Sequence, residues 1–277
     1  MYHPTILKLD SAASDFHEAG LFAEKDAAHR LAGIYQQHLL AASPYGRQRR
    51  FLHAQWVWAL GHIGLLYQLI RWFRLHEPDT QLVLIANGSA NPWFLQALAP
   101  YLAFLEPTMA IRAPDEPMRN AVYFGCPDGM HSLVSFYKRI EAECRDIHLL
   151  KLEDTAHLQA ESFLQFLGVK RPFVALHARY TENDPARNVT DEQIEAALAP
   201  YIGRGYSVVS TGLDPHPYAA RFPSVNALPD AHHASFLLSA TCDQFVGSNS
   251  GAWTIAHAFN RPVEIMNDTL RAAWIYP

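Results

Sequence analysis

Residues 244–266 read QFVGSNSGAWTIAHAFNRPVEIM. Gln244–Gly247 suits a short buried strand, and Ser248-Asn249-Ser250-Gly251 is small and polar. Residues 251–259 have helix-like apolar spacing, and 262–266 suit a strand again. Strand, tight turn, helix and strand make one βαβ unit, whose two strands must run parallel. Strands that are apolar throughout, without polar alternation, belong in a parallel sheet covered on both faces.

Upstream of this unit the same alternation recurs. FVALH (173–177) reads as a strand, and TDEQIEAALAPYI (190–202) as a helix whose Thr190 and Gln193 have capping-box spacing. YSVVS (206–210) is the next strand and HASFLLSA (233–240) a short helix. Before residue 150 the pattern is looser. FLHAQ (51–55) is a candidate strand, LGHIG (60–64) a glycine-bearing turn, and LLYQLIRWFRL (65–75) an apolar helix. QLVLIA (81–86) reads as a buried strand, with Asn91 as cap and Pro92 at the first position of a helix running to about Leu105 and broken near Pro100. MAIRA (109–113) and AVYFG (121–125) are shorter strand candidates, followed by a helix over about 132–144. DTAHLQAESFLQFLG (154–168) is a helix with Asp154 or Thr155 as cap and Gly168 as stop. The opening is helical, with Leu31, Ile34, Tyr35 and Leu39 on one stripe. The expected architecture is α/β: a helical extension over 1–48, a Rossmann-like domain over 49–150 and a second over 151–277, facing a cleft.

Composition narrows the partners. The chain has 277 residues, with 22 Lys+Arg against 27 Asp+Glu and a formal net charge of -5, so no nucleic-acid partner is expected. Its 15 histidines are scattered without metal-ligand spacing, so no bound metal or cofactor is expected. Cys126, Cys144 and Cys242 are far apart and odd in number, as buried or free thiols in a reducing compartment would be. The start, MYHPTILKLD, lacks the pattern of a secretory signal. The most apolar window, 56–73, is interrupted by His62, Gln68 and Arg71 and is too broken to span a membrane. A cytoplasmic protein without a transmembrane segment is the expectation.

Ligands of open α/β sheets bind beyond the carboxyl ends of the strands. The residues that follow the second-half strands are therefore the candidates. Ser248, Asn249, Ser250 and Gly251 can serve an anion with side-chain donors and close backbone approach, or can simply cap the helix that follows. His177 and Arg179 end a buried strand and, two residues apart, point to one side. An arginine there can hold a phosphate with its bidentate fork, or can pair with Glu182 or Asp184. Arg187 and Asn188 can add a cation and a carboxamide. The aromatics of residues 56–73 read as core and cleft lining, His232-His233 as a solvated loop pair, and Asp214–Pro217 as a turn.

Taken together, residues 236–268 resemble the donor half of GT-B glycosyltransferases, the heptosyltransferases among them. LHARYTENDPARN (176–188), with its H-x-R at a strand end, resembles fucosyltransferase-like enzymes. It is also similar to a bacterial family of glycosyltransferases in which an R-N pair and a G-x-x-V-x-x-x-G segment follow; here these are Arg187-Asn188 and GYSVVSTG (205–212). The resemblance covers roughly 50–270. It implies that Arg179 holds the nucleotide diphosphate with the 248–251 turn as a second cradle, and that Thr211, Gly212 and Asn267 flank nucleotide or sugar. It also implies that Gly61, His62 and Gly64 face the acceptor, with His62, Glu182 and Asp184 as candidate bases. The chain is short for such an enzyme, and Tyr180-Thr181 departs from the pattern after H-x-R. No D-x-D occurs, which agrees with a metal-independent reaction in which arginine and helix dipoles neutralise the leaving group. The implied activity is transfer of a sugar from a nucleotide-sugar to a hydroxyl of a glycan, lipid-linked or protein acceptor, with inversion. The rival from another class is a catalytically idle nucleotide- or partner-binding module of the same fold. A dinucleotide oxidoreductase is disfavoured because no G-x-G-x-x-G follows a strand.

Overall fold

The computed structural model describes residues 49–52, 54–86, 88–105, 121–122, 140–181, 188–214 and 216–267, with isolated positions between 8 and 31. The chain divides into two compact units, the first ending at Ile147 and the second beginning at His148.

The first unit holds a parallel sheet of β1 (Arg49–Leu52), β2 (Gln81–Ile85), β3 (Ala103–Leu105) and β4 (Ala121–Val122), in the order β3-β2-β1-β4. Helix α1 (Leu60–His76) connects β1 to β2 and buries Ile63, Leu66, Tyr67, Leu69, Ile70 and Phe73. Helix α2 (Pro92–Leu98) follows β2. Its Asn91 side chain accepts from Phe94 N at 2.8 Å and Pro92 opens the helix, as the sequence leads one to expect.

The second unit is built the same way. Its strands are β5 (Phe173–His177), β6 (Ser207–Ser210), β7 (Gln244–Gly247) and β8 (Val263–Ile265), all parallel, in the order β6-β5-β7-β8. Helices α3 (Asp154–Phe166), α4 (Asp191–Ile202), α5 (Ala231–Thr241) and α6 (Trp253–Ala258) alternate with them. Val174, Leu176, Val208 and Val246 pack against Ile194, Ala197 and Leu198 of α4 on one face. Phe173 and Phe245 are fully buried and, by the period-two alternation of a strand, belong to the opposite face. The ring of Phe245 lies over Gly247, where an added Cβ would come within 2.5 Å of it. A larger residue at that strand end would have to push the Phe245 ring aside.

Several boundaries differ from the sequence reading. Gly61-His62-Ile63-Gly64 is the first turn of α1 and not a loop. A 3-10 turn over Ala54–Val57 replaces the end of the FLHAQ strand, and the buried Ile63 and Gly64 put the glycines inside the helix. Helix α2 stops at Leu98 and not near Leu105, because Pro100 in the next turn removes an amide donor; Ala103–Leu105 are then free to pair with β2. Glu153, not Asp154 or Thr155, is at the N-cap of α3, and its side chain makes no capping bond. Gly168 does stop that helix, at a φ of 67°. Thr190 and Gln193 form the reciprocal capping box on α4. His232 and His233 are in the first turn of α5, capped by Asp230, with the His233 ring edge-on to Phe163 at 6.2 Å. Trp56, Tyr67 and Phe73 are core as expected, while Trp58 is 65% exposed. Ile34, Tyr35, Leu39, Cys126 and the strand MAIRA lie outside the described residues.

Candidate functional site

From β5 the chain steps to β6 on one side and then returns to place β7 on the other. The topological switch point of the second sheet therefore lies between the carboxyl ends of β5 and β7, where such sheets bind ligands. The register pairs His177 with Gly247, so the residues that follow these two strands lie side by side.

Ser248 joins them. Its backbone N–H donates to His177 O at 2.9 Å and its hydroxyl donates to the same oxygen at 3.2 Å. The hydroxyl also accepts from Arg179 N at 3.0 Å. The side chain expected to contact an anion is thus spent on fixing the backbone that carries Arg179. Asn267 does similar work. Its Oδ1 accepts from Asn249 N at 2.7 Å, and its Nδ2 reaches Asn188 O at 3.5 Å. Asn188 in turn exchanges two 2.9 Å bonds with the backbone of Thr181. Two carboxamides therefore tie together the ends of β5, β7 and β8. Thr211 is also committed, since its N–H and hydroxyl both donate to Leu176 O and its own carbonyl accepts from Ser235 Oγ. The Gly212 carbonyl accepts from Asn226 Nδ2 at 3.3 Å.

Five polar groups at this point have no protein partner among the described residues. Arg179 makes no side-chain hydrogen bond or ion pair there. Ser250 is nine-tenths buried with an unpartnered hydroxyl, and the buried Nδ1 of His177 is likewise unpartnered. The amides of Gly251 and Ala252 also donate to no described acceptor. The alternative expectation, that Asn249 or Ser250 caps the next helix, fails on geometry. Helix α6 begins at Trp253 behind Ala252, with no side-chain cap, and Thr254 Oγ1 satisfies Gly251 O instead.

Electrostatics separates the members of the H-x-R motif. Burial, with the Arg179 charge beside it, pushes the His177 imidazole down to about 4. His177 is therefore neutral near pH 7 and offers hydrogen bonding, not charge; of the two motif residues, Arg179 brings the positive charge. A histidine ending an apolar strand two residues before an arginine was legible in the sequence, but the loss of its charge was not.

His216 is a residue the sequence reading passed over as part of a turn. It is buried, its N–H donates to Ala178 O at 3.2 Å, and its Nδ1 accepts from Tyr218 N at 3.2 Å. The same nitrogen is 3.6 Å from Asp191 Oδ1. Its ring holds Tyr180 edge-on at 5.5 Å. Of the other expected residues, Gly61, His62 and Gly64 belong to the first unit, with Gly64 buried in α1 and His62 half-buried. Glu182, Asp184 and Arg187 lie outside the described residues. Cys144 and Cys242 are free and buried, and burial pushes the Cys242 thiol up to about 12. No helix of the described residues is long and apolar enough to cross a membrane, and no group of three metal-ligating side chains occurs among them.

No protein-family model matches the chain, and no curated protein matches it. Solved structures do match. The bacterial iron-containing dodecameric glycosyltransferase TibC from enterotoxigenic E. coli is 17% identical, covers 78% of this chain and has a TM-score of 0.45. The chain spans 57% of the length of that protein. E. coli ADP-heptose LPS heptosyltransferase II is 13% identical, with 78% of this chain and 83% of that chain covered and a TM-score of 0.48. A glycosyl transferase family 9 protein from Veillonella parvula is also 13% identical, with 78% and 80% covered and the same 0.48. Likeness this distant leaves the chemistry to be argued from the residues of this chain.

Proposed function

We propose that the chain is a GT-B-type glycosyltransferase that moves a sugar from a nucleotide-sugar to an acceptor hydroxyl. The observation that supports this best is the constellation at the β5/β7 switch point: an arginine without a described partner, held by Ser248 against a turn with a buried, unpartnered hydroxyl. A diphosphate fits such a set, because it needs a fixed cation and several donors at once. The donor domain in this reading is 151–277, and 49–150 binds the acceptor.

The reaction is a displacement at the anomeric carbon. The bond from that carbon to the diphosphate oxygen breaks, a bond to the acceptor oxygen forms, and the nucleoside diphosphate leaves with the electron pair. Arg179, the Ser250 hydroxyl and the Gly251 and Ala252 amides stabilise the charge that develops on it, the role a divalent metal plays elsewhere. His62 and Asp184 are the candidates for taking the acceptor proton, and attack from the opposite face gives inversion. Ser248, Thr211 and Asn267 hold the site, while His177 contributes a neutral hydrogen-bonding group. Arg187 supplies a second cation.

The test is equilibrium binding followed by transfer. Thermal unfolding with ADP, UDP, GDP, CMP and their sugar conjugates should show stabilisation by one nucleotide class. At a ligand concentration ~100 times its Kd the gain is about 2.7 kcal/mol. ADP-D-β-D-heptose, found in a TibC complex, belongs in that panel. Release of free nucleoside diphosphate only when an acceptor is present would establish transfer. Binding without release under any acceptor would support the idle-module reading instead.

A further inference from the structure

Tyr180 is half exposed, at 50%, directly beyond Arg179 at the carboxyl edge of the second sheet. Large exposed aromatics are unremarkable singly. This one, however, packs against a fixed support. Its ring meets the buried His216 ring edge-on, and His216 is itself fixed at both ends: its N–H donates to Ala178 O and its Nδ1 accepts from Tyr218 N. On the other flank, the two bonds between Asn188 and Thr181 hold the next residue of the chain. A tyrosine so held keeps a fixed ring surface toward solvent at little further entropic cost.

Its position gives that surface a use. Successive side chains of an extended segment diverge to opposite sides, so Arg179 continues the side of His177 and Tyr180 continues that of Ala178. Two neighbouring residues at the switch point can thereby address the two ends of one ligand lying across the sheet edge. We infer that Tyr180 stacks on the nucleobase while Arg179 holds the diphosphate, which makes Tyr180, backed by His216, a base-binding residue of the donor site. This rests on the nucleotide-sugar reading above. The recognised chemistry is a flat heteroaromatic base joined to a diphosphate, and stacking is indifferent to the pattern of base donors and acceptors.

The experiment compares the affinities of inorganic pyrophosphate and of the preferred nucleoside diphosphate for the full chain and for Tyr180→Ala and Tyr180→Phe. Tyr180→Ala should weaken the nucleotide about tenfold and leave pyrophosphate unchanged, while Tyr180→Phe stays near the native value. The unligated melting temperature is measured alongside, because an exposed ring should be removable without unfolding. An unchanged nucleotide affinity in Tyr180→Ala overturns the stacking role while leaving the nucleotide site standing. So does an equal loss for both ligands. Failure of the native chain to bind either ligand contradicts the nucleotide reading itself, and the stacking role falls with it.

Discussion

Ser248 shows how one side chain can serve two strand ends. Its hydroxyl accepts from Arg179 N and donates to His177 O, and the residue is fully buried. Ser248→Ala should strand Arg179 N, since His177 O keeps the backbone N–H of residue 248, cost about 1–3 kcal/mol in urea unfolding, and weaken nucleotide binding by displacing Arg179. His177 sets a second expectation. Its folded pKa of about 4 is below the ordinary value of 6.5, so the unfolded chain binds more protons between those limits. Its neutral burial therefore contributes fully above pH 6.5 and is progressively lost as the pH falls toward 4, by at most about 3 kcal/mol. His177→Gln should flatten that acid limb of the stability curve; an unchanged limb would place the acid sensitivity elsewhere. The residue types at 177, 179 and 248–251 were readable from the chain. Their division of labour was not, because hydrogen bonds such as Ser248 to Arg179 join positions 69 apart.

At the scale of elements, local chemistry decided most of what could be read. The Asn91-Pro92 start of α2 and the Thr190/Gln193 box of α4 are signals carried within four residues, and both are present in the structure. Thr190→Ala should cost about 1 kcal/mol through the lost cap, with Thr190→Ser nearly neutral, as chemical denaturation would show. What misled was the glycine pair Gly61 and Gly64. Glycine marks turns in general, yet here α1 is carried by the burial of its apolar side chains, and tertiary packing outweighs the propensity cost. The strand β3 was hidden for the opposite reason. Ala103–Leu105 continue an apolar helical spacing, and only pairing with β2 reveals them as extended. The start of α6 at Trp253, two residues beyond the turn, likewise depends on contacts that the local sequence does not encode.

At the scale of the whole molecule, each unit has its own parallel sheet and its own buried core. Within the first, Arg71 is buried and bonds to Gln68, to Glu141 Oε1 at 2.7 Å and to the Cys144 carbonyl, joining α1 to residues 140–144. Arg71→Ala should destabilise that unit by about 3–5 kcal/mol, because it removes the buried cation of the pair together with its bonds to Gln68 and the Cys144 carbonyl. Hydrogen exchange should then accelerate in 60–76 and stay slow in 173–177 and 244–247; uniform acceleration would mean that the two units unfold together. The alternation of strand and helix made the α/β class legible, since it needs only the period of the hydrophobic pattern. The switch point was not legible, because strand order is a property of the folded sheet. The most direct measurement of the proposed function is nucleotide-dependent thermal stabilisation of the native chain against Arg179→Ala. A shift of the native chain with one nucleotide class, abolished in Arg179→Ala while its unligated melting temperature is kept, is the expected result. A shift of equal size in both proteins, or none in the native chain, would contradict a diphosphate site at the β5/β7 switch point.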